Sequence, residues 1–180
     1  MKKPVLVVSL AWLLVFTFGC RNKAAKAELE KFRAQAALEE QNAAWYRQFV
    51  EAWNKGDFEY LTQRTAPDYA AYVPSAMATP ASREENVAVA KYLRAAFPDA
   101  VWTIEELAAV GDMVITRNII RGTHRGTFEG IPPTGNKIQI CFIIMSRIRD
   151  GLLVEDREDG DFLGLMRQLG LELRPKDVKK

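Results

Sequence analysis

One histidine, His124, and two cysteines, Cys20 and Cys141, are all that the 180 residues offer in those types. So few ligands exclude a zinc site of the His-rich or Cys-rich kind, and no disulfide framework can be drawn. No G-x-G-x-x-G string and no phosphate-binding loop occur, which removes the common backbone cradles for nucleotides. G-x-S-x-G is missing too, and with it the usual serine-hydrolase elbow. The acidic string Glu155, Asp156, Glu158, Asp159, Asp161 lacks the order of a calcium loop and reads as a solvated strand end. Neither a metal nor a cofactor is therefore expected. An excess of charge is also lacking. The formal +2 rests on Lys2 and Lys3, and the chain beyond residue 19 carries 23 basic and 23 acidic residues. A nucleic-acid partner, which needs a basic face, is not expected.

What is present begins with an export pattern. Met1-Lys2-Lys3 precedes the apolar run Val5–Phe18, which is shorter than the ~20 residues of a membrane-spanning helix. The run ends at Gly19-Cys20, which resembles a bacterial lipobox, with Thr17 and Phe18 departing from its usual residues. The resemblance implies a signal peptide over 1–19, acylation of Cys20, and a lipoprotein tethered to the bacterial cell envelope on its periplasmic or extracellular face. An ordinary secretory signal, or an uncleaved anchor, is the alternative.

Arg21–Asn54 reads as one helix, with Leu29, Phe32, Ala36, Ala43, Tyr46, Val50 and Trp53 at spacings of three and four. The apolar stripe is thin and Ala-rich up to Glu40 and broadens from Trp45. A thin stripe suits a stalk, over 20–38; a broad one suits a buried face, so the domain is expected over 39–172, followed by a charged tail over 173–180. Asp57–Arg64 reads as a second short helix and Tyr69–Val73 as a short strand. Ser82-x-x-Glu85 is a capping box that opens a third helix, stopped at Pro98. Four strands follow, Val101–Val110, Met113–Thr123, Lys137–Arg149 and Leu152–Asp159, then a final helical turn over Leu163–Leu169. Gly111-Asp112 and Asp150-Gly151 supply tight turns, so an antiparallel meander is expected. In Lys137–Arg149 both faces are apolar. Helices can cover one of them, so the other predicts a homodimer.

Arg121–Ile138 holds His124, four of the eleven glycines (Gly122, Gly126, Gly130, Gly135) and the Pro132-Pro133 pair. It reads as a bulged strand end, a stiff loop and re-entry into the next strand. Together Gly122-Thr123-His124-Arg125-Gly126, Gly130–Gly135, Arg147–Gly151 and Leu163–Gly170, with Phe97-Pro98-Asp99 upstream, resemble the SnoaL-like polyketide cyclase (ester cyclase) family of the nuclear-transport-factor-like superfamily. The resemblance implies an α+β fold, a curved antiparallel sheet wrapped around helices to form a cone with an internal cavity.

It also implies cofactor-free acid–base chemistry on a small apolar carbonyl compound. A carboxyl in a pocket of low polarity has its charged form disfavoured, which suits it to moving protons beside a carbonyl. The position matching the family's acid/base aspartate is taken as Asp161, with His124 polarising the carbonyl or holding the ligand. Each has a bland reading: Asp161 can cap the last helix, and His124 can hold the loop backbone. Trp45 and Phe49 are candidates for the cavity wall, though core packing is the commoner role. Arg117 and Arg147 either bind an anionic group in the cavity or pair with Glu105 and Glu155 across the sheet. Arg157 stands where the family commonly has Trp. Two further readings stay open: a membrane-tethered binding domain without turnover, and a dimeric interaction module.

Overall fold

A computed structural model describes residues 5–172 and Arg174, with side chains from Lys23 onward. The cleavage expected after residue 19, the acylation of Cys20 and all of the tail except Arg174 lie outside the described residues. The chain divides into two compact units, Met1–Leu38 and Glu39–Lys180. The helix expected over Arg21–Asn54 starts earlier, as α1 (Val5–Lys55). In the first unit its Leu29, Phe32 and Leu38 are exposed.

In the second unit the same helix becomes broadly apolar and buries Trp45, Tyr46, Phe49, Val50, Ala52 and Trp53. Two contacts fix its height against the sheet. Asn42 Nδ2 donates to the Gly111 carbonyl at 3.0 Å, and the Gly111 N–H donates to Glu39 Oε1 at 2.9 Å. Asp57 caps α2 (Phe58–Gln63) by accepting from the Tyr60 N–H. Strand β1 (Thr65–Tyr72) begins four residues before the expected start. The capping box forms as read: Ser82 and Glu85 satisfy each other's backbone N–H groups at the start of α3 (Arg83–Ala96).

Strands β2 (Val101–Val110), β3 (Met113–Thr123), β4 (Lys137–Arg149) and β5 (Leu152–Gly160) form the expected antiparallel meander. Asp150 and Gly151 both have positive φ, as a tight right-twisted hairpin turn requires. The sheet order is β1-β5-β4-β3-β2. It is not wholly antiparallel, however: β1 joins the free edge of β5 in parallel, pairing Ala70–Tyr72 with Glu155–Arg157. A parallel neighbour needs a long crossover, which α3 and the meander provide.

Burial in β4 alternates strictly from Lys137 to Met145. Ile138, Ile140, Phe142, Ile144 and Ile148 lie in the core, while Ile143 and Met145 are exposed on the other face. In β5 the alternation is broken. Ile148 pairs with Leu153 but Arg147 pairs with Glu155, so Val154 is an extra residue, a bulge. The bulge reverses which residues face inward beyond it. Asp156 and Glu158 come to lie opposite the inward-facing Ser146 and Ile144.

Candidate acid–base site inside the sheet

The strand end expected to be solvated thus delivers two carboxyls to the interior. Asp156 and Glu158 line a cavity of about 80 Å³ with Phe49, Trp53, Trp102 and Ile144, and its rim includes Asn86 and Val89 of α3. Asp156 is held at both oxygens: Ser146 Oγ donates to Oδ1 at 2.5 Å and the Tyr69 hydroxyl donates to Oδ2 at 2.7 Å. Behind Ser146 runs a chain of buried donors. Asn118 Nδ2 donates to Thr116 Oγ1 at 2.8 Å, and Thr116 Oγ1 to the Tyr46 hydroxyl at 3.3 Å. Burial and then the Asp156 charge raise the proton affinity of the Tyr46 hydroxyl, so it stays protonated beside that carboxylate.

Burial is what shifts these groups. It raises Asp156 from the ordinary 3.8 to about 6, against the opposing pull of the Ser146 and Tyr69 hydrogen bonds. Glu158 goes further, to about 8, first through burial and then through the negative charges of Asp156 and Asp159. Burial and the Asp156 charge also push the Tyr69 phenol well above its usual value. At neutral pH the site therefore holds one anion, Asp156, fully hydrogen-bonded, and one protonated carboxyl, Glu158, two residues away on the same face.

The residues singled out in the sequence fall in different places. Asp161 is exposed and caps α4 (Phe162–Gln168), accepting from the Gly164 N–H at 2.7 Å. A Cβ at Gly164 would sit 2.0 Å from the Asp161 carboxylate, so this glycine makes room for the cap. His124 is completely buried. Its Nδ1 accepts from the Thr134 N–H at 3.2 Å, its own N–H donates to the Asn136 carbonyl, and its carbonyl accepts from Gly135. The imidazole packs on Phe97 at 5.3 Å between centroids. These contacts tie the Pro-Pro loop to the end of β3. Nearby, the Arg125 and Gly126 N–H groups both donate to the Ala96 carbonyl at the end of α3. Any Cβ on Gly126 would lie 2.3 Å from the Ala95 carbonyl oxygen, so only glycine allows that approach.

Phe49 lines the cavity; Trp45 does not. Trp45 stacks on Phe49 at 5.2 Å and its indole N–H donates to the Gly151 carbonyl, so it supports the wall from behind. Arg117 and Arg147 do not reach the interior. Both occupy outward positions of their strands, opposite in parity to the buried Thr116, Asn118, Ser146 and Ile148. Arg117 pairs with Glu106 at 3.1 Å and more distantly with Glu105. Arg147 pairs with Asp112 at 2.7 Å instead of Glu155. Arg157, at the family's Trp position, lies over the Tyr72 ring at 4.1 Å and pairs with Glu155. Among the described residues no cluster of three or more His, Cys, Asp or Glu side chains could hold a metal ion.

A curved five-stranded sheet packed against helices, with ionisable side chains on its inner face, defines a class of α+β domains. The chain belongs to the SnoaL-like polyketide cyclase family, which it matches over residues 43–169. It is 29% identical over 134 residues to the aklanonic acid methyl ester cyclase DnrD of Streptomyces peucetius, covering 69% of this chain and 87% of that one. Among solved structures it resembles IdmH of Streptomyces antibioticus, a candidate polyketide cyclase, at 36% identity and a TM-score of 0.64 over 73% of this chain and 99% of that one. AclR of Streptomyces galilaeus, a candidate hydroxylase, superposes with a TM-score of 0.69 at 27% identity over 77% of this chain and 87% of that one.

Proposed function

We propose that the domain moves protons on a small apolar carbonyl compound held in the β5 cavity, without a cofactor, and that Glu158 rather than Asp161 is the group that moves them. The observation carrying this reading is the inward turn of Glu158 beside the fully hydrogen-bonded Asp156. A carboxyl raised to about 8 is a much stronger base when ionised than a surface glutamate. Ionised, it removes the proton from the carbon next to the carbonyl; the resulting Glu158 acid returns a proton to oxygen or carbon. Asp156 is a positioning residue: after burial itself, its charge adds to the rise in Glu158's proton affinity, so that the ionised fraction of Glu158 is a strong base. The same transfer underlies aldol-type ring closure, which supports an ester-cyclase type of reaction by analogy with DnrD.

The test is deuterium exchange into the α-carbon of cyclopentanone in D₂O, followed by proton NMR. Wild type should accelerate exchange, and Glu158→Gln should reduce the acceleration at least 100-fold with the fold intact. Equal rates in wild type and Glu158→Gln would remove the proposal.

The domain is further proposed to act as a homodimer tethered to the cell envelope through Cys20. Cells expressing the full chain should incorporate labelled palmitate, and Cys20→Ser should lose the label. Label that survives that substitution would exclude acylation at Cys20.

A further inference from the structure

A second void lies beyond the first along the inner face of the sheet. It measures about 50 Å³ and every residue around it is apolar, among them Trp53, Phe97, Ala100, Ile140, Phe142 and Leu165. The order of the inward side chains fixes the relation between the two. On β4, Ile138, Ile140 and Phe142 line the apolar void and the next inward residue, Ile144, lines the carboxyl cavity. At the start of β2, Ala100, the residue just before the strand, lines the one and Trp102 the other. Inward residues on a strand are roughly 7 Å apart, so the voids follow each other in series. Trp53 of α1 is the residue common to both linings. Its ring meets Trp102 edge-on at 5.5 Å, and the Arg94 guanidinium stacks over it at 4.6 Å. The indole is therefore a partition held from two sides.

We propose that Trp53 is a specificity-determining residue that sets ligand length, and that the ligand is a carbonyl compound with an unbranched apolar tail. The carbonyl end faces Glu158 and the tail points along β4 until the Trp53 indole stops it. This rests on the carbonyl-binding reading above. The cavity before the partition is small beside the roughly 300–1,000 Å³ of ordinary ligand pockets, so only short compounds fit. An all-apolar void without polar partners is a poor place for water and a good one for methylenes. Replacing the indole by a smaller side chain joins the two chambers into one channel.

The experiment titrates the full chain with a series of 3-oxo methyl esters, from methyl 3-oxobutanoate to methyl 3-oxodecanoate, by calorimetry. In wild type the affinity should stop rising after the shortest tails. In Trp53→Leu it should keep rising about fourfold per added methylene for at least two more, the factor expected for burying each CH₂. Trp53→Phe keeps a ring against Trp102 and Arg94, guards against a Leu variant that fails to fold, and should shift the cut-off in the same direction by less. An identical cut-off in wild type and both variants would overturn the role of Trp53 while leaving the cavity reading in place. Absence of saturable binding to wild type for every ester would remove both.

Discussion

Two carboxyls on one strand with unequal proton affinities make the protein's response to pH specific enough to test. Asp156 rises from 3.8 to about 6 and Glu158 from 4.5 to about 8. Both are raised on folding, so the folded chain binds these protons more tightly than the unfolded chain does. The stability they contribute is complete below about pH 4 and is lost as pH climbs through about 6 and then 8. Wild type should therefore melt at a lower temperature at pH 9 than at pH 5.5. Glu158→Gln, neutral at every pH, should flatten the upper half of that loss. At pH 9 it should be the more stable protein by on the order of 1–3 kcal/mol. A melting series from pH 5 to 9 decides it, and parallel curves for the two proteins would contradict the raised value. The rate of ketone exchange should run the opposite way, climbing with pH as Glu158 ionises and levelling above about 8.

At the scale of elements, most of the architecture was legible because periodicity and turn chemistry act locally. The Ser82/Glu85 box, the Asp150-Gly151 turn and the broadening of α1 at Trp45 each follow from residues within one or two turns of each other. Two features did not follow. The parallel seat of β1 depends on which sheet edge remains free, a property of the assembled meander. The bulge at Val154 depends on how β4 and β5 pair, and it reverses the faces of everything after it. Read as an unbroken alternation from Leu153, the acidic stretch puts Glu155 and Arg157 inside; with one residue inserted it puts Asp156 and Glu158 there. That single residue is why Asp156 and Glu158, and not Glu155 and Arg157, face the interior, whereas Asp161 was named from the family resemblance alone. The cap geometry supplies a direct comparison. Asp161→Ala should cost about 1 kcal/mol through loss of the Gly164 N–H acceptor, whereas Asp161→Asn, which can still accept, should cost little. Both should keep the exchange rate per folded molecule. A normal melting curve with a lost rate in Asp161→Asn would instead return the catalytic role to that residue.

At the scale of the whole molecule, the convex side of the sheet carries an apolar strip. Register brings Ile115 beside Met145 and Ile119 beside Cys141, and places Ile143 next to Arg117. Ile143 and Met145 are exposed on that face. Charges of both signs rim the patch, with Arg117 and Arg121 close to Glu105 and Glu106. A surface that is apolar at its centre and carries both signs at its edge can meet a second copy of itself about a twofold axis, each arginine facing the other copy's glutamate. The proposed dimer is favoured further if Cys20 anchors both chains, because confinement to a membrane raises the effective concentration of one partner around the other. Ile143→Glu places a charge at the centre of the patch without touching the core, since Ile143 is already exposed. It should convert a dimer into a monomer on light scattering at about 50 µM, an ordinary working concentration for a weak interface. It should also abolish the rise of melting temperature with protein concentration that a dimer must show. Wild type that runs as a monomer at that concentration, with a melting temperature independent of dilution, would leave the convex face solvated and confine the domain's function to the chamber on its inner side.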